Sequence, residues 1–250
     1  MQSFDSDGVQ IAYLDEGAGE PILLIHGFAS NAATNWVDPQ CVRTLTQDRR
    51  RVIALDNRGH GQSDKLYDPA RYGAPEMADD AIRLLDHLKI DRVDVLGYSM
   101  GARLAAFLAI AHPDRVRSVV FGGLGIHMVR GMVGAGPLAA ALEAPKLEDV
   151  TNDTARSFRI FAEQTNSDLK ALAACMRGPR EKLPPEKLGA LTVPVLVAVG
   201  SKDVIGGSGA ALAELIPNAQ FLDIVDRDHM RAVGDKKFKQ GVLAFLASRL

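Results

Sequence analysis

Short apolar runs alternate with segments of helical periodicity over most of the chain. The N-terminal SFDSDGVQIAYLDEG alternates apolar and polar residues on either side of Asp7-Gly8, a dipeptide suited to a tight turn, and predicts an antiparallel hairpin. The pattern then changes. PILLIH, RVIALD, RVDVLGYS and VRSVVFGG are apolar at successive positions, as strands covered on both faces are, and helical segments over 36–47, 75–88 and 100–112 lie between them. Two further strands are read in LTVPVLVAVG and AQFLDIV, with a helix near 210–216 between them and a C-terminal helix over 235–250. The expectation is an α/β protein with a mostly parallel eight-stranded sheet and helices on both faces.

Between VRSVVFGG and LTVPVLVAVG no convincing strand occurs, and residues 124–188 are too many for a structureless loop in a compact domain. GPLAAALEA, TNDTARSFRIFAEQ and SDLKALAACM carry helical patterns there, and the Pro-rich RGPREKLPPEKLG leads back to the sheet. Residues 1–123 and 189–250 are therefore read as one core and 124–188 as a helical insertion. The Gly-rich GGLGIH and GMVGAG match no phosphate-binding spacing and are read as hinges of that insertion.

Composition narrows the partners. With 29 basic and 31 acidic side chains the formal net charge is −2 and no block of like charge occurs, which argues against nucleic acid and against an anionic membrane surface. No run reaches the ~18 apolar residues of a membrane span, and the N-terminus lacks a basic region followed by an apolar stretch, so a cytoplasmic location is expected. Cys41 and Cys175 match no ligand or CxxC spacing and are expected as buried thiols. No pair of His or Cys residues has metal-ligand spacing, and neither a metal nor a cofactor is expected.

The strongest chemical signal is Gly97-Tyr98-Ser99-Met100-Gly101, which falls between a strand-like run and a helix-like run. A serine on such a turn presents its hydroxyl at the carboxyl edge of the sheet, and glycines two positions away on either side remove side chains that would collide. The helix that follows offers free backbone N–H groups to a developing anion. The bland alternative is a serine that merely caps the helix.

LGYSMG after a strand, preceded by LLIHGF and ALDNRGHGQSD, resembles the α/β-hydrolase superfamily over nearly the whole chain, least so in the insertion. The resemblance implies the order nucleophile, acid, histidine. Of six histidines only His229, in VDRDHM, follows a plausible acid and a last strand, and the expected acid position, after VLVAVGSKD, is Asp203. Ser99 would then be the nucleophile, His229 the general base and Asp203 the group that orients it. By the same analogy the oxyanion donors are the backbone N–H groups of Phe28 and Met100. Asp228, directly before the histidine where many relatives carry glycine, would raise the histidine's pKa if it pointed inward; an outward orientation is the default. Arg58 and His60 are expected to support loops below the site.

The insertion stands where relatives carry a cap. Its apolar residues include Met128, Met132, Val133, Leu138, Phe158, Phe161 and Met176. Phe28, Met128, Phe158 and Phe161 are the candidates to line a pocket for a small or medium apolar group. The implied activity is hydrolysis of a small-molecule ester-like substrate. Carbon–carbon bond hydrolysis and perhydrolysis use the same set of residues in similar sequences, and a small-molecule receptor on the hydrolase scaffold is a reading from another class. Epoxide hydrolysis and dehalogenation are disfavoured, because both need an aspartate where Ser99 stands.

Overall fold

The computed structural model describes residues 1–131 and 134–249; Met132 and Val133, together with the last residue of the expected C-terminal helix, Leu250, lie outside the described residues. The chain opens with β1 (Gln2–Asp5) and β2 (Gln10–Glu16), joined by a turn in which Asp7 and Gly8 have φ of 54° and 77°. Two successive positive φ values are what a two-residue hairpin of matching twist requires.

The core elements follow in the expected alternation. They are β3 (Glu20–Ile25), α1 (Cys41–Gln47), β4 (Arg50–Leu55), α2 (Ala74–His87), β5 (Val93–Tyr98), α3 (Met100–Ala111) and β6 (Val116–Gly122). One expectation is corrected. The helix read over 36–47 is two pieces, a π-helical turn over Ala33–Val37 and then α1, because Pro39 has no N–H to donate and Gln40 is left-handed at φ 66°.

Between β6 and β7 (Val195–Gly200) the chain makes α4 (His127–Arg130), α5 (Ala135–Glu143), α6 (Asp153–Gln164), α7 (Leu169–Arg177) and α8 (Pro185–Gly189). Side-chain caps start two of these, with Asn152 accepting from the Ala155 N–H at the head of α6 and Asp168 from the Ala171 N–H at the head of α7. The chain ends with α9 (Gly209–Ala213), β8 (Gln220–Ile224) and α10 (Lys236–Ser248). Among the described residues no helix is long and apolar enough to cross a membrane.

The eight strands form one sheet in the order β1-β2-β4-β3-β5-β6-β7-β8. β2 pairs antiparallel with β1 and with β4, and the pairs from β4 through β8 are parallel. Successive strand residues serve opposite faces: Leu23 and Ile25 of β3 pack under α2 and α3, whereas Ile22 and Leu24 pack on the side of α1 and α10. This explains the continuous apolar runs of the central strands. Cys41 and Cys175 are buried, and burial pushes each thiol up to about 12.

Candidate active site

Ser99 joins β5 to α3 at φ 54° and ψ −114°, a conformation that a non-glycine residue holds only when its surroundings impose it. The surroundings here are backbone. A Cβ on Gly97 would stand 2.1 Å from the Gly101 carbonyl oxygen, and one on Gly101 would stand 2.0 Å from that of Ile25 in β3. The turn is thus pressed against the neighbouring strand, and only glycine fits at either point.

Two loops from distant parts of the chain meet the serine. His229, in the loop after β8, brings Nε2 to 2.9 Å from the Ser99 Oγ, and its Nδ1 lies 2.8 Å from Oδ2 of Asp203, in the loop after β7. The other carboxylate oxygen of Asp203 accepts the N–H groups of Ile205 at 3.0 Å and Gly206 at 2.7 Å. The Asp203 side chain is fully buried and that of His229 is 7% exposed. An ionised carboxylate held this way fixes the tautomer with the proton on Nδ1 and leaves Nε2 as the acceptor for the serine hydroxyl. The hydroxyl of Tyr98, the residue before Ser99, donates to the His229 carbonyl at 2.6 Å.

The Phe28 and Met100 N–H groups make no hydrogen bond to the described protein. For Met100 this follows from its place in the first turn of α3. The loop that carries Phe28 is built from its polar neighbours: the Gly27 N–H donates to Oδ1 of Asn35 at 3.0 Å, and the Asn57 N–H donates to Nε2 of His26 at 2.9 Å. The His26 Nδ1–H closes the local arrangement on the Gly27 carbonyl at 2.7 Å. The His60 ring lies beside this one, tilted by 58° with 5.3 Å between centroids. Burial pushes His26 down to about 4, and burial followed by the neighbouring His26 pushes His60 down to about 3, so both rings are neutral. Arg58, also fully buried, grips both carboxylate oxygens of Asp80 on α2, at 2.7 and 2.8 Å. Arg58 and His60 therefore brace the loops beneath the serine, where the sequence led one to expect them.

Two cavities open beside Ser99. A front cleft of about 430 Å³ is lined by Phe28, Asn35, Ser99, Phe158, Phe161 and His229, and a back cavity of about 440 Å³ by Phe28, Ser99, Met100, Arg103, Phe158 and Met176, each with further residues. Phe28 and Phe158, with ring centroids 6.1 Å apart, stand in the walls of both. The helices between β6 and β7 are tied to the core at this point, with the Thr165 hydroxyl donating to the Ala29 carbonyl at 2.9 Å and the Tyr67 hydroxyl to Asp168 at 2.9 Å.

Of the pocket residues expected from sequence, Phe28, Phe158 and Phe161 line a cavity. Met128 does not: it is 0% exposed and packs into the core, and its backbone carbonyl, rather than its side chain, is what α3 engages through Arg103. Asp228 takes the outward orientation, half exposed and accepting the Arg231 N–H at 2.9 Å. Asn35 and Arg103 were not singled out by the sequence. Arg103 had a visible signal, a lone charge in the otherwise apolar MGARLAAFLAIA of α3.

Comparison with known proteins agrees with this architecture. A family model of the alpha/beta hydrolase fold matches residues 20–132. A 2-hydroxymuconate semialdehyde hydrolase from Pseudomonas sp. (strain CF600) is 39% identical over 116 residues, 46% of this chain and 40% of that protein, so the match spans about two fifths of the relative's length. A protein of the same name from Pseudomonas putida is 32% identical over 234 residues, 83% of this chain and 79% of that one. A solved structure of a thermophilic esterase from Thermogutta terrifontis superposes with a TM-score of 0.75 at 26% identity, covering 99% of this chain and 98% of its own. With the elbow serine, the parallel sheet and these relatives in hand, the chain belongs to the α/β-hydrolase fold family.

Proposed function

We propose that this chain is a serine hydrolase that cleaves small to medium carboxylic esters through an acyl-enzyme. The observation that carries the reading is the continuous hydrogen-bonded path from Asp203 through His229 to a strained serine that touches both cavities. A serine hydroxyl is a weak nucleophile at neutral pH. His229 takes its proton as Oγ attacks the ester carbonyl, and Asp203 steadies the imidazolium that forms. The oxyanion of the tetrahedral intermediate accepts from the free N–H groups of Phe28 and Met100. His229 then returns the proton to the leaving alkoxide, the carbon–oxygen bond breaks, and the acyl group stays on Ser99. Water, deprotonated by the same histidine, repeats the sequence and releases the acid.

A second reading keeps these residues and changes the bond. Two relatives are named as hydrolases of 2-hydroxymuconate semialdehyde, a name that specifies no ester, and this favours a carbon–carbon bond as the one cleaved in the second reading. The esterase neighbour supports the first reading. The discriminating experiment is release of p-nitrophenol from the acetate and hexanoate esters by the wild type and by Ser99→Ala. Turnover in the wild type that vanishes in the variant supports the esterase. A folded wild type that is inert on both esters and cleaves a 1,3-diketone supports carbon–carbon hydrolysis.

A further inference from the structure

The back cavity holds charge that ester cleavage alone does not use. Arg103, Arg130, Arg180 and Lys182 line it, against one acid, Glu181. The Glu181 carboxylate is engaged elsewhere: one oxygen accepts the Ala74 N–H at the head of α2 at 3.0 Å, and the other lies beside Gly73. Among the described residues none of the four cations forms an ion pair with a carboxylate, whereas Arg159 and Arg177 of the same segment each do.

Two of the four are held in place. Arg103 lies one turn beyond Ser99 on α3; its Nη1 donates to the Met128 carbonyl at 2.8 Å and its Nη2 to the Glu181 carbonyl, so both ends of the insertion grip the guanidinium. Arg180 is held through Nη2 by the carbonyls of Cys175 and Met176, at 3.1 and 2.7 Å. Nε of Arg103, and Nε and Nη1 of Arg180, donate to no described group. The two guanidinium groups are close enough that, after burial, the charge of Arg180 lowers the pKa of Arg103, with the Glu181 carboxylate acting in the opposite direction. Two fixed like charges with spare donors, bordering one cavity, are relieved by an anion that accepts from both.

The orientation of the substrate decides which half carries that anion. The leaving group must receive its proton from His229, and His229 lines the front cleft and not the back cavity. The leaving limb therefore occupies the front and the acyl limb the back. At a rise of 1.5 Å per residue, Arg103 stands about 6 Å along α3 from the nucleophile.

Resting on the ester reading above, we propose that Arg103 and Arg180 form a carboxylate-binding subsite, and that the natural substrate is a half-ester of a dicarboxylic acid, the free carboxylate of its acyl limb lodged in the back cavity.

The test compares mono-p-nitrophenyl adipate with p-nitrophenyl hexanoate, equal in acyl carbon count and differing in the terminal charge. For the wild type kcat/KM favours the adipate by about tenfold or more, the size expected of a charge-assisted pair of hydrogen bonds. The ratio collapses toward one in Arg180→Met, a replacement at an exposed position that keeps the stem, and is partly kept in Arg180→Lys. Arg103→Met tests the second guanidinium provided circular dichroism shows it folded. A wild type that prefers the hexanoate, or an Arg180→Met that keeps the adipate preference, overturns the subsite. Calorimetric binding of adipate to Ser99→Ala separates the two levels of the argument. Binding that is lost in Ser99→Ala/Arg180→Met supports the subsite even if neither ester is turned over, in which case only the ester reading fails. No adipate binding at millimolar concentration refutes it.

Discussion

The buried histidine pair beneath the loop that carries Phe28 makes stability depend on pH in a calculable direction. His26 and His60 are neutral in the fold, pushed down to about 4 and about 3 by burial, whereas in the unfolded chain each returns to an ordinary value near 6.5. Below pH 6.5 the unfolded chain thus binds two protons that the folded chain refuses, and the stability present above pH 6.5 is lost as pH falls toward the folded values. From pH 7 to pH 5 the loss is about 2 kcal/mol per histidine and about 4 kcal/mol for the pair. That is a large part of a typical net stability of about 5–15 kcal/mol. Urea unfolding of the wild type and of His60→Gln at both pH values isolates the effect. The glutamine retains an N–H for the Arg58 carbonyl that His60 now serves at 2.9 Å, and it cannot titrate. The pH-dependent loss should fall by about half in the variant, whatever its stability at pH 7. An unchanged loss between the two pH values would refute the assignment of neutral, buried rings.

Two further predictions address the site. Asp203→Asn leaves the fold intact and removes the acceptor that fixes the His229 tautomer, so kcat on p-nitrophenyl acetate falls about 10³- to 10⁴-fold while KM changes little; a loss under tenfold would sink the proposed role. Gly101→Ala forces a Cβ to 2.0 Å from the Ile25 carbonyl, and moving β3 or the elbow costs on the order of 2–3 kcal/mol, read as a drop in Tm of about 5–10 °C by calorimetry; an unchanged Tm would show that the contact is relieved cheaply.

What the sequence revealed and what it concealed divide along a physical line. The central strands were legible because burial on both faces demands unbroken apolar runs such as PILLI, and the elbow was legible because close backbone approach demands Gly97 and Gly101. His229 and Asp203 were found through chain order in a resembling family, not through any local signal, since their meeting depends on two loops 26 residues apart. The break of the expected helix at Pro39 and Gln40 was written in the proline but obscured by apolar periodicity on both sides. Met128 was misassigned because an apolar residue in an insertion can face a cavity or the core, and periodicity does not distinguish them. The back-cavity cations were hidden for a related reason: Arg103 and Arg180 are far apart in sequence and become neighbours only when the insertion folds back over α3.

The hydroxyl of Tyr98 on the His229 carbonyl has a mechanical consequence. β8 is an edge strand of the sheet, exposed at its start and paired on one side alone, and the histidine loop follows directly from it. If the imidazole took its position only from that strand, every fluctuation of the sheet's margin would reach the reacting atoms. Tyr98 instead is buried and covalently next to Ser99, so the loop is referenced to the same peptide unit that sets the hydroxyl. The separation of 2.9 Å between oxygen and nitrogen is thereby spanned by a short, rigid linkage. Fraying at the margin on warming can loosen the outer strand while the contact between Ser99 and His229 keeps its alignment.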